Sequence, residues 1–397
     1  MAARSLNSFG RAIISLTVGW ELYARTESTF VLGAVGLVQV IPVILLFVPV
    51  GALVDRSDRR TLTTLAAMGA GVIGIGLALA SYFAAPVEVY LGLLLVFGCI
   101  ASVMAPSSVS LIPLIIARED LVRTNQISSS LQELAVITGP GLAGLALKVV
   151  DAHWIYAFVA LTGLASGTLF RTLPKPREFD QGTPAAIAGR RDWRTGLRFI
   201  FRSPLLLPAL TLDMFAVLFA GVTALLPAIA SDVLHVDSLG LGVLRAAQSV
   251  GAVLMALIAS RLPAWRRPGR VLLIVVALFG AVTIAFGLST SFALSAVLLV
   301  AAGALDNISV VIRLTLEQMV VPDTIRGRVS AVHYVFIGMS NELGAAESGF
   351  AAGVIGTVPA IVAGGVVAMI VAGFVAVKWR ELAKMPPLHE LKPADET

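Results

Sequence analysis

The side chains of this chain most able to do chemistry are carboxylates in apolar surroundings. Glu133, Asp213, Asp306 and Glu342 stand inside long hydrophobic runs, with Arg245 and Glu347 placed similarly and Arg313 seven residues beyond Asp306. A charged side chain at mid-bilayer costs about 2.5–3.5 kcal/mol even on a lenient insertion scale, so such groups usually face a cavity or a partner. Low dielectric penalises the ionised form, and a carboxylate held in this way can load and release a proton. Counting along helices at about 1.5 Å per residue puts Asp306 and Glu342 nearest the midplane. Asp213 and Arg313 share a depth nearer one end, where they can pair. For any single acid a structural hydrogen bond or ion pair is the plainer role; proton coupling is expected of at least one of Glu133, Asp213, Asp306 and Glu342. Gln39, Gln132, Gln248, Arg313 and Asn341 are candidate polar contacts for a substrate. Glu21, beside Trp20 and Tyr23, is placed for a rim or gate, or for anchoring at the interface.

The elements that must position these residues are membrane helices. The chain is 57% hydrophobic and 13% charged, far below the roughly 25% charge of soluble domains, and its mean hydropathy is +0.91. A helix crosses the hydrocarbon core with about 20 mostly apolar residues. Twelve runs qualify: 6–23, 30–53, 61–83, 89–112, 125–150 and 153–170, then 205–229, 239–258, 271–288, 291–312, 329–355 and 358–377. The first is barely long enough, contains Arg11 and begins almost at Met1. The longest polar stretch, 171–203, separates six spans from six. The expected organisation is therefore a bundle over 1–170, a linker over 171–203, a second bundle over 204–380 and a tail over 381–397. Residues 193–202 alternate basic and apolar types at helical spacing, which suits an amphipathic helix on the inner leaflet or a solvated linker helix.

Charge follows the loops. Arg56, Arg59 and Arg60, Arg118 and Arg123, the linker, the 261–270 loop, Arg326 and Arg328, and Lys378 and Arg380 fall on one side, whereas the other side offers little beyond Arg25 and Lys148. By the positive-inside rule both termini are cytoplasmic. The formal charge of +5 thus reports topology, and no nucleic-acid partner is implied. The single cysteine, Cys99, excludes an internal disulfide, and four scattered histidines show no metal-ligand spacing. The glycosylation-like Asn307 lies within a span. No cofactor is expected. Without a nucleophile–base pairing, a metal cluster or a nucleotide-binding loop, the chain does not read as an enzyme or as ATP-driven.

Two motifs stand out. Gly51, Asp55, Arg56, Asp58, Arg59 and Arg60 form a charged turn between the second and third spans, where the Asp55 carboxylate can accept N–H groups at a helix N-terminus. Thr138, Gly139, Pro140, Gly141, Ala143 and Gly144 lie within the fifth span, where proline favours a kink and small residues permit close helix packing. Weak internal echoes, at an offset of about 205 residues, relate the turn to the 261–270 loop and Glu119–Arg123 to Asp323–Arg326, as expected of repeated bundles.

The spacing from Gly51 to Arg60 resembles the loop signature of the major facilitator superfamily, whose members carry small molecules by secondary transport. The resemblance implies that Asp55, with Arg56, Arg59 and Arg60, latches the two halves on the inner side; the plainer role for these charges is to fix topology. Asp58 stands where many members carry Gly. Gly139, Pro140 and Gly144 resemble the fifth-helix pattern of the superfamily's drug:proton antiporters, with Ala143 in place of one Gly; packing alone is an equal reading. The stretch 326–349, with Gly19–Tyr23, Leu226–Pro227 and Gly303–Asp306, is similar to a branch of bacterial siderophore and multidrug exporters. Members of that branch carry more residues before the first span, so a truncated start or a half-formed first helix is expected here.

The expected fold is therefore an all-α integral membrane protein, twelve transmembrane helices in two pseudo-symmetric six-helix bundles. The expected function is proton-coupled export of a siderophore or amphipathic organic molecule from the bacterial cytoplasm by alternating access, with protons and membrane lipids as the other partners and a monomer allowed. A facilitator-type importer or uniporter is the next reading, and a non-transporting membrane sensor or assembly protein the third.

Overall fold

In a lipid environment every backbone polar group must be satisfied within the protein, which leaves helices as the economical way for these apolar runs to cross. The computed structural model describes residues 1–116, 120–174, 193–259, 261, 265–322 and 324–391. Residues 175–192 of the linker, Arg118, Glu119, Asp323 and the Asp55 side chain lie outside the described residues.

The first six helices are α1 (Ala2–Thr26), α2 (Thr29–Arg56), α3 (Arg59–Tyr82), α4 (Val87–Ile115), α5 (Leu121–Ala146) and α6 (Ala152–Thr172). A short amphipathic helix, α7 (Trp193–Arg202), precedes α8 (Leu206–Ala220), α9 (Ser238–Ala259), α10 (Pro268–Leu288), α11 (Phe292–Val320), α12 (Arg326–Ile355) and α13 (Thr357–Lys378). Among the described residues nine segments are long and apolar enough to cross a membrane by hydropathy alone, the segment from Leu206 to Val233 included. The other three long helices, α1, α5 and α12, are diluted by polar and charged residues. The first helix is longer than its apolar run: its 25 residues rise about 37 Å, so the expectation of a half-formed first helix is corrected. Its start is held by the Ser166 hydroxyl, which donates to the Ala3 carbonyl at 2.8 Å, and by Arg4, which donates to Ser128.

The chain divides into two compact units, Met1–Gly182 with Leu226–Ala246, and Thr183–Leu225 with Ala247–Thr397. The same packing pattern recurs in each. In the first, α3 packs on α6 and α4, and α1 on α5 and α6. In the second, α10 packs on α13 and α11, and α8 on α12 and α13. The closest pair uses the same device in both units. A methyl group added at Gly163 would lie 2.6 Å from the Gly71 nitrogen, and one at Gly365 would lie 2.6 Å from the Gly280 carbonyl oxygen. Only small residues let these backbones meet.

The seventh span is not one regular helix. After α8 it passes Gly221, a 3-10 turn at Val222–Leu225 and a π turn at Ile229–Val233, and the boundary between the units falls within this irregular stretch. The segment beyond it belongs with the first unit. There Tyr23 donates to Asp232, the Ser238 hydroxyl donates to the Gly144 carbonyl at 3.0 Å, and Arg245 donates to Ser15 at 3.1 Å.

Candidate functional site

On α11, Asp306, Ser309, Arg313 and Glu317 are spaced three, four and four residues apart, so they share one helix face. In the second unit this face turns to α8 and α12. Arg313, 3% exposed, forms an ion pair with Asp213 of α8, and both side chains are buried. The Arg313 Nε also donates to the Ser309 carbonyl and hydroxyl oxygens, each at 3.3 Å. The depth count from the sequence thus finds its counterpart in a formed ion pair. Beside it lies a cavity of about 20 Å³ lined by Asp213, Asp306 and Ser309 together with Val275, Val276 and Phe279. That volume admits about one water. Asp306 therefore shares a small, mostly apolar chamber with a second carboxylate, the one that Arg313 holds in an ion pair. Two carboxylates thus line the cavity, and the ion pair with Arg313 belongs to Asp213.

About one turn beyond Arg313, toward the C-terminal end of α11, Glu317 forms a second buried group. One of its carboxylate oxygens accepts from the Ser330 hydroxyl and the other pairs with the His333 Nδ1, both partners lying on α12. Glu317 and His333 are 5% and 3% exposed. The sequence reading passed over both residues. The signal was available, since Glu317 continues the register of Asp306 and Arg313, but His333 has no sequence neighbour that announces its partner.

The first unit carries a polar group of different character. The Glu21 carboxylate accepts from the Ser81 hydroxyl at 2.7 Å and the Tyr90 hydroxyl at 2.8 Å, and Arg25 lies 3.8 Å away. Arg25 in turn donates to Tyr90 at 3.0 Å and to the Ala85 carbonyl at 2.9 Å. Both Tyr90 and Tyr156 are fully buried around this site. Glu21 is therefore tied into its own unit by neutral donors and one adjacent cation. Nearer the surface, Lys148 pairs with Asp237 at 3.1 Å. The Gly240 N–H and then Lys148 hold the Asp237 carboxyl below the usual carboxylate range.

In the turn between α2 and α3, the capping role expected of Asp55 is performed by Asp58. Its oxygens accept from the backbone N–H groups of Arg60 (3.1 Å) and Thr61 (3.3 Å) and from the Thr61 hydroxyl (2.6 Å). Partial burial pushes the Asp58 carboxyl up, but the Thr61 hydroxyl and the two backbone donors outweigh it and hold the group below its ordinary value. The reason is positional: Asp58 directly precedes the first residue of α3, whereas Asp55 is still within α2. Arg60 reaches the Arg171 carbonyl at the end of α6, Arg59 is half-buried and Arg56 is exposed in the last turn of α2.

The glycines of the fifth-span motif make close contacts. A methyl at Gly139 would lie 2.9 Å from the Ala12 Cβ, and one at Gly144 would lie 2.3 Å from the Ser238 carbonyl oxygen. Pro140 lies inside an unbroken α5, and its carbonyl faces Gly242. The motif is a packing surface on two sides, toward α1 and toward the start of α9.

The other candidates are dispersed. Glu133 is exposed, Glu342 is half-buried on α12, and Asn341 is exposed with its amide donating to the Ile337 carbonyl at 3.1 Å. Gln39 donates to its own helix at Val35, Gln132 is half-buried, and Gln248 accepts from Thr223 at 3.4 Å. Among the described residues no group of three or more His, Cys, Asp and Glu side chains is placed to hold a metal ion.

Comparison with known proteins agrees with this architecture. The chain is 27% identical over 341 residues to the enterobactin exporter EntS of Citrobacter koseri and, equally, to that of Shigella dysenteriae serotype 1; each match covers 83% of this chain and 79% of the relative. In fold it is similar to the crystal structure of a bacterial homologue of the human lysosomal transporter Spinster, with a TM-score of 0.72 at 15% identity and 95% of both chains covered. The family model of the Major Facilitator Superfamily matches residues 1–345. With two six-helix bundles of repeated packing and a matched signature over most of its length, the chain belongs to the major facilitator superfamily of multi-pass membrane transporters.

Proposed function

We propose that this transporter exports a small organic molecule, an enterobactin-like siderophore or an amphipathic compound, from the bacterial cytoplasm in exchange for protons. The observation that carries the reading is the small cavity that Asp213 and Asp306 both line, beside the ion pair that Asp213 makes with Arg313. Asp306 carries the exchangeable proton. When external protons reach the chamber, Asp306 loads; when it opens to the less acidic cytoplasm, the proton leaves. The likeness to enterobactin exporters over most of the chain supports the direction of transport and the class of cargo. In this reading Asp55, Arg56, Arg59 and Arg60 form the inner latch, Gly139, Pro140 and Gly144 set the packing of α5, and Gln39, Gln132, Gln248 and Asn341 are substrate contacts. Glu342 and Glu133 remain coupling candidates behind Asp306 and Asp213. The distribution of arginines supports a bacterial inner-membrane location with both termini on the cytoplasmic side.

The test uses purified protein in liposomes with an imposed pH gradient, a pH-sensitive dye and added enterobactin or lipophilic cations. Substrate-evoked proton movement in the wild type, lost in Asp306→Asn with insertion intact, is the expected result. Proton movement unchanged in both Asp306→Asn and Glu342→Gln removes those residues from the coupling set. Substrate movement with no proton movement favours a uniporter.

A further inference from the structure

The coupling chamber does not account for the second buried titratable group, Glu317, His333 and Ser330. We propose that His333, paired with Glu317, is a second proton-exchange site that relays protons between the chamber lined by Asp213 and Asp306 and the C-terminal end of α11, where α12 begins with Arg326 and Arg328. The proposal rests on the proton-coupled reading for its transport consequence, though not for the protonation itself.

Three observations carry it. First, the ionisable groups are continuous along one face of α11: from Asp306 through Ser309 and Arg313 to Glu317 is eleven residues, about 16 Å of helix rise. Second, His333 stands between the two clusters by its place in the fold. It bonds Glu317 directly, and its helix α12 packs on α8, the helix that carries Asp213. Third, the pair is built for exchange. Glu317 has both oxygens occupied by side chains of α12, one by Ser330 and one by His333, so the carboxylate is fixed against the one side chain whose unperturbed titration lies near neutrality. A proton arriving at neutral His333 gives an imidazolium beside the Glu317 carboxylate; its departure toward the chamber or the helix ends restores neutral imidazole, and no other bond changes.

The charged groups around His333 are few. From α11 they are Arg313 and Glu317, and from α8 Asp213. The helix α7, packed on α12, carries Arg194, Arg198 and Arg202, all exposed, and α13 contributes Lys378, which sits over the Phe374 and Trp379 rings. On α12 itself are Arg326, Arg328, Glu342 and Glu347. Only Asp213, Arg313 and Glu317 among them are buried.

The chain has four histidines, which makes a direct test practical. A variant with His153→Gln, His235→Gln and His389→Gln retains His333 alone; its isotope-labelled imidazole is followed by NMR in liposomes across neutral pH. The expected result is a protonation transition whose midpoint moves at least about tenfold in proton concentration on Glu317→Gln, a shift of one pKa unit, with Glu317→Asp restoring most of it. An imidazole that stays in one state, or a midpoint indifferent to Glu317→Gln, overturns the proposal. In the transport assay Glu317→Gln is expected to lower gradient-driven proton exchange about tenfold while substrate exchange at equal pH stays within about twofold; loss of both, or of neither, overturns the relay. A wild type that moves enterobactin without protons overturns the coupling reading instead, and the NMR arm still decides whether His333 exchanges its proton.

Discussion

The two units bury polar groups of opposite design. In the first, the Glu21 carboxylate is met by two hydroxyl donors and by an arginine on the next turn of its own helix. In the second, Asp213 pairs with Arg313 across two helices, and Asp213 and Asp306 line one small cavity. In the first arrangement one carboxylate faces one guanidinium and the two hydroxyl donors meet Glu21 Oε1, while its Oε2 is buried without a hydrogen-bond partner. In the second, the cavity is lined by two carboxylates, and under the proposed coupling one of them carries the exchanged proton. Units with the same helix packing thus surround their buried carboxylates differently, and the proposed function assigns proton exchange to the second.

The sharpest break of this comparison is Arg313→Met. Removing one partner of a buried ion pair costs about 3–5 kcal/mol, because the remaining charge is stranded, so Arg313→Met should fall sharply in thermal stability in detergent and lose transport. Asp213→Asn combined with Arg313→Met should recover most of the stability, since no charge is then stranded. If the double variant is as unstable as the single one, the pair is not what makes Arg313 essential.

Next in size is the contrast between Asp306→Asn and Glu21→Gln. The first should reduce substrate-evoked proton flux at least about tenfold while leaving stability within about 1 kcal/mol, since it removes a proton carrier rather than an ion-pair partner. The second keeps shape and most hydrogen bonds and should leave flux within about twofold. Equal losses from both variants would erase the division of labour between the units.

How much of this was readable beforehand can be judged from particular residues. The helices, their approximate ends and the pairing of Asp213 with Arg313 follow from hydropathy and rise per residue, because both are properties of single segments. The Asp58 cap went unread because capping is decided by where α3 begins, to within one residue, and boundaries are the least legible feature of a span. Glu133, an acid in an apolar run, lies on an exposed face, which hydropathy cannot distinguish from a cavity face. Gly139 and Gly144 could be seen as small but not as contacts for Ala12 and Ser238, and the Glu317–His333 pair joins two helices whose register no local pattern specifies. The broken seventh span, with Leu226–Ala246 in the first unit, likewise depends on tertiary packing.

A smaller effect separates the two ends of the first unit. Asp58→Ala removes the α3 cap and should cost about 1 kcal/mol. The Asp58 carboxyl is held below its ordinary value in the folded protein, so its contribution is present above the unfolded carboxylate pKa of about 3.9 and is lost as pH falls through the folded value. The stability difference between wild type and Asp58→Ala should therefore be constant from neutral pH down to about 5 and shrink below about 4. A difference that grows on acidification would contradict the capping geometry.

The smallest expected effect concerns Lys148 and Asp237. Both side chains are about half exposed, at 53% and 50%, and exposed pairs contribute roughly 0–1 kcal/mol, less in salt. Lys148→Met should therefore change thermal stability barely at low ionic strength and not at all in about 1 M salt. Its value lies in the contrast with Arg313→Met: the buried pair of the second unit should keep its full effect at both salt concentrations, because no counter-ion reaches it. Equal salt sensitivity of the two variants would mean that water enters the α8–α11 chamber freely, and a chamber open to bulk water could not hold a proton against a gradient.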